Sequence, residues 1–232
     1  LFYYTAVYQP NRMHEQATAT AGVQLTETAQ AQAKINATAT AAAENPYTHN
    51  GTLALTDPLS DNSKGYKWSE VSTNCRFTGG AYHAIAPDAH FSDYCLADAT
   101  DFSNFAFEVQ MQIIQGDDGG LVFRTENTNP NQYYVFYIGQ DGSYFLNMAN
   151  GSNYPILSSG TSATINQGLN KTNLIAVVAQ GSTITLYVNH HQLAVVTDSN
   201  FSHGQIGFLA SPQGNGGHPT EVVFSNARVW TL

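Results

Sequence analysis

Residues 119–148, GGLVFRTENTNPNQYYVFYIGQDGSYFLNM, limit the possible folds more than any other part of the chain. Three segments alternate with a period of two: 121–126, 133–139 and 143–148. In the first, Val122, Arg124 and Glu126 fall on one face and Leu121, Phe123 and Thr125 on the other. In the second, Tyr134, Phe136 and Ile138 make an apolar face, and Tyr133, Val135 and Tyr137 a mixed one. Asn129-Pro130 and Asp141-Gly142 punctuate them. Period-two alternation rich in aromatic and β-branched residues, cut by turn formers, is the mark of an antiparallel meander.

The same grammar runs through the rest of the chain from Gly51. Strands are expected at 53–55, 76–83, 90–95, 105–114, 173–179, 183–188, 193–197, 205–209 and 221–230, and no helical period occurs after residue 50. About a dozen short strands at even spacing predict an all-β, two-sheet antiparallel sandwich. Within 105–114, Phe105, Phe107, Val109, Met111 and Ile113 share one face. Glu108, Gln110 and Gln112 share the other.

Residues 1–45 differ in kind. An apolar, aromatic start (LFYYTAVY) is followed by a run rich in Ala, Thr and Gln that lasts until Pro46. Ala, Gln, Glu and Lys favour helix and Thr opposes it. A helix over 11–44 would be roughly 50 Å long. Its apolar stripe, Met13, Ala17, Ala21, Leu25 and Ile35, is too thin to stand alone in water. The segment therefore reads as a stalk or as a helix that packs on copies of itself, followed by a linker at 46–50. Neither a signal peptide nor a membrane span is visible.

Composition narrows the partners. Charged residues make up 11% of the 232 residues and only eight are Lys or Arg, for a formal net charge of -9. A phosphate-backbone footprint is missing, which argues against nucleic acid. A surface of Asn, Gln, Ser, Thr and Tyr suits neutral, hydroxyl-rich ligands. The two cysteines, Cys75 and Cys95, are compatible with free thiols by count. The exported character of such a surface favours one disulfide. His83 and His90 between them lack a zinc spacing, and His190 and His191 sit in a hairpin turn. Asp117-Asp118, in GDDGG, is either turn chemistry or a Ca²⁺ ligand pair, and the turn is preferred. Sequons occur at Asn36, Asn50, Asn150, Asn170 and Asn200. No cofactor is expected.

Residues 51–232 resemble bacterial exported domains of the concanavalin A-like lectin/glucanase superfamily, the jelly-roll group that includes laminin-G-like and 3-keto-disaccharide hydrolase domains. The pieces that carry the likeness are DPLSDNSKGYKW, CRFTGGAYH with FSDYC, FSNFAFEVQM, GDDGGLVFR, YYVFYIG, ITLYVNHHQLAVVTD, GQIGFLA and VVFSNARVW. In some relatives such a domain follows a membrane helix and an Ala/Thr/Gln-rich stalk, so the resemblance also implies an anchor before Leu1. It implies a ligand surface on one sheet. With Phe107, Val109, Phe123, Phe136 and Ile138 turned to the core, the expected platform is Gln110, Gln112, Arg124, Glu126, Tyr133 and Tyr137, with Glu108 beside them. Tyrosine rings stack on sugar faces, and amides and charges reach the hydroxyls.

The E-x-D-x-E strand motif of the glucanase branch does not occur, although Glu108 and Glu126 could face each other across neighbouring strands. No G-x-S-x-G elbow occurs either. The expectation is an extracytoplasmic, non-catalytic carbohydrate-binding or sensing module on an N-terminal helical stalk. The alternative is a structural subunit of a self-assembling cell-surface filament or layer. Self-association through residues 1–45 is expected in both cases, and a glycoside hydrolase ranks behind both.

Overall fold

The computed structural model describes residues 24, 28–32, 45–71, 73–88, 92–126, 131–212 and 218–232. The turn at Asn129-Pro130, His90, Asn36, and the expected stripe of the N-terminal helix lie outside them. The chain divides into two units, Leu1–Glu44 and Asn45–Leu232. In the first, Gln24 and Thr28–Gln32 are helical and exposed. Thr28 Oγ1 donates to the Gln24 carbonyl at 2.8 Å, one helical turn back.

Fourteen strands make up the second unit among the described residues: β1 (Thr52–Asp57), β2 (Cys75–Thr78), β3 (Ala81–Ala86), β4 (Asp93–Leu96), β5 (Phe105–Gln115), β6 (Asp118–Thr125), β7 (Gln132–Gly139), β8 (Ser143–Asn150), β9 (Ile156–Thr161), β10 (Thr172–Gln180), β11 (Thr183–Val188), β12 (His191–Thr197), β13 (Gln205–Ser211) and β14 (Thr220–Thr231). One sheet runs β12-β11-β10-β5-β14-β3-β2, with β1 paired to β14; the other runs β4-β13-β6-β7-β8-β9. All pairings are antiparallel. β14 serves two neighbours on one side. Its first half pairs β3 and its second half β1, and a bulge at Ser225–Arg228, with Asn226 at φ 56°, separates the halves.

The expected strand at 76–83 is instead a hairpin, β2 and β3. Gly79 and Gly80 both take positive φ (61° and 78°), the conformation a two-residue turn needs and side chains resist. β9 was not foreseen. Its sequence, ILSSGT, alternates too weakly to announce a strand.

The two inner faces bury one core. Phe105, Phe107, Val109 and Met111 of β5 meet Leu121 and Phe123 of β6 and Tyr134 and Phe136 of β7. An aromatic stack crosses from sheet to sheet: Trp68 lies on Phe208 with centroids 4.7 Å apart, and Phe208 on Phe224 at 4.2 Å. The Trp68 indole N–H donates to Asp57 Oδ2 at 3.0 Å, so its polar edge is satisfied where it is buried. A Cys75–Cys95 disulfide joins β2, an edge of one sheet, to β4, an edge of the other.

Candidate functional site

The six residues expected to form one platform are divided by the sandwich. Gln110 and Gln112 stand on β5, on the outer side of the eight-stranded sheet. Gln110 Oε1 accepts from Asn226 Nδ2 at 2.8 Å, and Gln112 Nε2 donates to Thr172 Oγ1 at 2.8 Å. Tyr133 and Tyr137 stand on β7, on the outer side of the other sheet.

Arg124 departs from its strand's alternation. It takes φ 53° where the register with β13 shifts, is 1% exposed, and donates to the carbonyls of Phe201 (3.0 Å) and Ser103 (2.7 Å). It therefore ties two loops to the sandwich. Burial lowers its proton affinity. Glu126 follows β6 and lines a separate pocket with Asp101, His203 and Gln205. Glu108 and Glu126 do not face each other across neighbouring strands, because β5 and the end of β6 belong to different sheets.

The six-stranded sheet has an apolar outer face. Val122, Val135 and Leu209 lie there at 1% exposure or less, with Tyr94, Leu96, Tyr133 and Tyr137 packed against them. The register makes this face continuous: Tyr94 opposes Leu209, Leu209 opposes Gly120, Gly120 opposes Tyr137, and Tyr137 opposes Phe145. Tyr94 of β4 and Tyr133 of β7 are separated by two strands, yet their rings are 5.2 Å apart. They meet above β13 and β6, where Gly207 presents no side chain and Val122 a short one. Tyr154, 44% exposed, meets Tyr133 edge to face with ring centroids 6.2 Å apart, and its hydroxyl donates to the Tyr133 oxygen at 3.3 Å. Tyr137 and Phe145 stack at 5.1 Å. Asn147, opposite Val135 and 5% exposed, keeps Oδ1 without a hydrogen-bond partner.

Burial raises the phenol pKa values of Tyr94, Tyr133 and Tyr154. Tyr137 is pushed up to about 12 by burial and by the carboxylate of Asp118, against a lowering hydrogen bond from Asn147. At neutral pH every one of these hydroxyls keeps its proton and is able to donate.

One end of this face is acidic. Asp118 lies on the same side of β6 as Gly120 and Val122, and it opposes Gly139. It lines a cavity of about 210 Å³ with Asp117, Gln140 and Asp141. The carboxyl of Asp118 is raised to about 7, first by burial and then by Asp117 and Asp141. Sequence reasoning missed Tyr94, Phe145, Asn147, Tyr154 and Asp141. Period two places Phe145 and Asn147 together and turns Tyr94 away from its core-facing neighbour Cys95. Tyr154 lies in the connection between β8 and β9 and carries no periodic signal.

The outer side of the eight-stranded sheet is built differently. Glu108, wholly buried, accepts from the Tyr47 hydroxyl at 2.5 Å and pairs with Arg228, whose guanidinium lies over Trp230 at 5.3 Å. Tyr47 belongs to the segment expected as a linker. It packs on Tyr187 (4.8 Å) and His190 (5.9 Å), and Asn45 is 1% exposed. Beside this cluster lies a polar cavity of about 360 Å³ that includes Gln110, Asn226 and Arg228.

No family model and no curated protein matches the sequence. Solved structures do. The carbohydrate-binding module CBM66 from Bacillus subtilis superposes with a TM-score of 0.59 at 17% identity, covering 71% of this chain and 95% of its own. A Bacillus subtilis protein of unknown function with a galectin-like fold gives 0.59 at 12%, covering 78% and 96%. A β-glucanase from Bacillus licheniformis gives 0.51 at 14%, covering 77% and 97%. The fold is thus the concanavalin A-like jelly roll. At these identities the likeness speaks for the fold alone, and fold does not fix activity.

Proposed function

We propose that the chain is an extracytoplasmic, non-catalytic glycan-binding module whose ligand lies on the outer face of the six-stranded sheet. The observation that carries this reading is the group of Tyr94, Tyr133, Tyr137, Phe145 and Tyr154 on and beside a sheet face over which, among the described residues, no further strand is stacked. Such rings offer flat apolar surfaces edged with hydroxyl donors, which match the two sides of a sugar ring. That solved neighbours include a carbohydrate-binding module supports the same class of ligand. Asp117, Asp118 and Asp141 at one end disfavour uronic and sialic acids, so the ligand class is neutral.

The ligand is held and not cleaved. Glycoside hydrolysis needs two carboxyl groups reaching the bond from either side, roughly 5–10 Å apart. Asp118 is 4% exposed, and Glu108 is sealed beneath Tyr47 and Arg228 on the opposite sheet. Residues 1–44 are proposed to be a helical stalk that self-associates and follows a membrane anchor. The helical residues Gln24 and Thr28–Gln32, in a unit distinct from the sandwich, support the stalk. Among the described residues no helix is long and apolar enough to cross a membrane.

A glycan array read with the full chain, followed by calorimetry on any hit, tests the binding reading. Tyr133→Ala should weaken affinity about tenfold, the loss expected for one stacking ring worth about 1.4 kcal/mol. Gln110→Ala, on the other sheet, should leave it unchanged. Equal loss in both variants, or no bound glycan, rejects the proposal.

A further inference from the structure

β6 starts at the cavity around Asp118 and ends at a second one, where the β4–β5 and β12–β13 connections meet it. Both connections are tied down. Phe102 and Gly204 exchange backbone hydrogen bonds at 2.9 and 3.2 Å, and Arg124 holds the carbonyls of Phe201 and Ser103. Gly204 takes φ 146°, and a Cβ on it would stand 2.4 Å from the Thr125 carbonyl oxygen, so a side chain there would hold the loop off β6. The cavity has about 180 Å³, with Asp101, Thr125, Glu126, His203 and Gln205 on its wall. Its polar groups are mostly acceptors. Asp101 and Glu126 bring carboxylates, and among the described residues that line it there is no Lys or Arg. The Gln205 amide nitrogen donates to the Asp98 carbonyl at 3.1 Å, which leaves Oε1 to accept. His203 Nδ1 lies 2.9 Å from Asp101 Oδ1, and a neutral ring that donates there presents Nε2 as a further acceptor. Thr125 is an independent sign of a ligand. It is wholly buried, and its Oγ1 has no hydrogen-bond partner among the described residues, a cost that a bound donor would remove.

We infer that this cavity binds the primary ammonium group of a small organic amine. An ammonium carries three donors and no acceptor, which complements a wall of acceptors. Its hydrogen bonds to carboxylates are charge-assisted and so of the stronger kind. A neutral polyol brings more acceptor than donor sites and leaves both carboxylates uncompensated. A bare metal ion does not fit, because among the described residues no three His, Cys, Asp or Glu side chains are grouped to hold one. The cavity is smaller than the roughly 300–1,000 Å³ of sites for drug-sized ligands, so the amine is small. The inference does not depend on glycan binding, since none of these residues belongs to the aromatic face.

The test is calorimetry on the full chain with n-butylammonium chloride, beside tetramethylammonium chloride as a cation without N–H donors. The expected result is saturable binding of n-butylammonium with a Kd on the order of 10⁻³ M, and none of tetramethylammonium. Asp101→Asn, at a side chain 63% exposed, and Glu126→Gln should each weaken binding at least about tenfold. Thr125→Val keeps the shape and removes the hydroxyl. It should weaken binding while leaving Tm at or above the parent's, whereas a merely structural hydroxyl would lower Tm and leave affinity alone. Glucosamine hydrochloride separates two sources of the same group: tighter binding than n-butylammonium assigns the site to amino sugars, weaker binding to alkylamines. Equal binding of n-butylammonium and tetramethylammonium overturns the inference. So does the lack of saturable binding, or an affinity that both carboxylate variants retain.

Discussion

Glu108 shows how a chain with few charges keeps one inside. Its two oxygens are taken by the Tyr47 hydroxyl and by Arg228, and burial, followed by the neighbouring Glu108, raises the Tyr47 phenol far above its usual range. Removing the carboxylate leaves the Tyr47 hydroxyl without its acceptor and takes an ion pair from the partly exposed Arg228, and Glu108→Ala should cost about 1–3 kcal/mol in denaturant unfolding. Glu108→Gln, which keeps the shape, should cost clearly less. Asp198 makes the opposite kind of contact. Burial raises its pKa, but hydrogen bonds from the Tyr134 hydroxyl and from Asn200 outweigh that and leave it below the usual carboxylate range. A depressed pKa adds stability that is present above about pH 4 and is lost as pH falls through the folded-state value. Asp198→Asn should therefore flatten the acid limb of a stability–pH curve, and a limb as steep as the parent's would refute the assignment.

The element scale separates what the sequence states from what it leaves out. Alternation in residues 119–148 gives β6, β7 and β8 within a few residues, because period two is written in the side chains. The two faces of β5 are equally clear: Phe107 and Val109 are core, and Gln110 and Gln112 are not. Alternation does not say which strand lies beside which, and for that reason the expected platform joined residues that the sandwich separates. Arg124 was misplaced for a second reason. A bulge and a positive φ interrupt the period there, and a local irregularity of that kind leaves no trace in residue type. The disulfide lies between these cases, since the composition favoured it and the fold brings Cys75 and Cys95 to facing sheet edges. Closing a loop with 20 residues of separation stabilises by roughly 3 kcal/mol in the chain-entropy model. Reduction, or Cys75→Ser with Cys95→Ser, should lower stability by about that much, measured as a shift of the denaturant midpoint.

For the whole molecule, the sandwich begins earlier than the sequence indicates. Asn45 and Tyr47 are part of it, and Tyr47 covers Glu108. A chain starting at Asn45 should keep the stability of the sandwich, whereas one starting at Gly51 should lose the Tyr47–Glu108 contact and unfold at lower denaturant. Equal midpoints would mean that the segment is a linker after all. In the same comparison by light scattering, the full chain should be oligomeric and the Asn45 chain monomeric.

In the proposed function one outer face of the sandwich binds glycan and the other does not. Calorimetry on the full chain with an array-selected neutral glycan, comparing Tyr133→Ala and Tyr154→Ala with Gln110→Ala and Gln112→Ala, tests it most directly. About tenfold weaker binding is expected for each tyrosine variant, with parental affinity for both glutamine variants. Affinity lost in the glutamine variants and kept in the tyrosine variants would place the ligand on the eight-stranded sheet and contradict it.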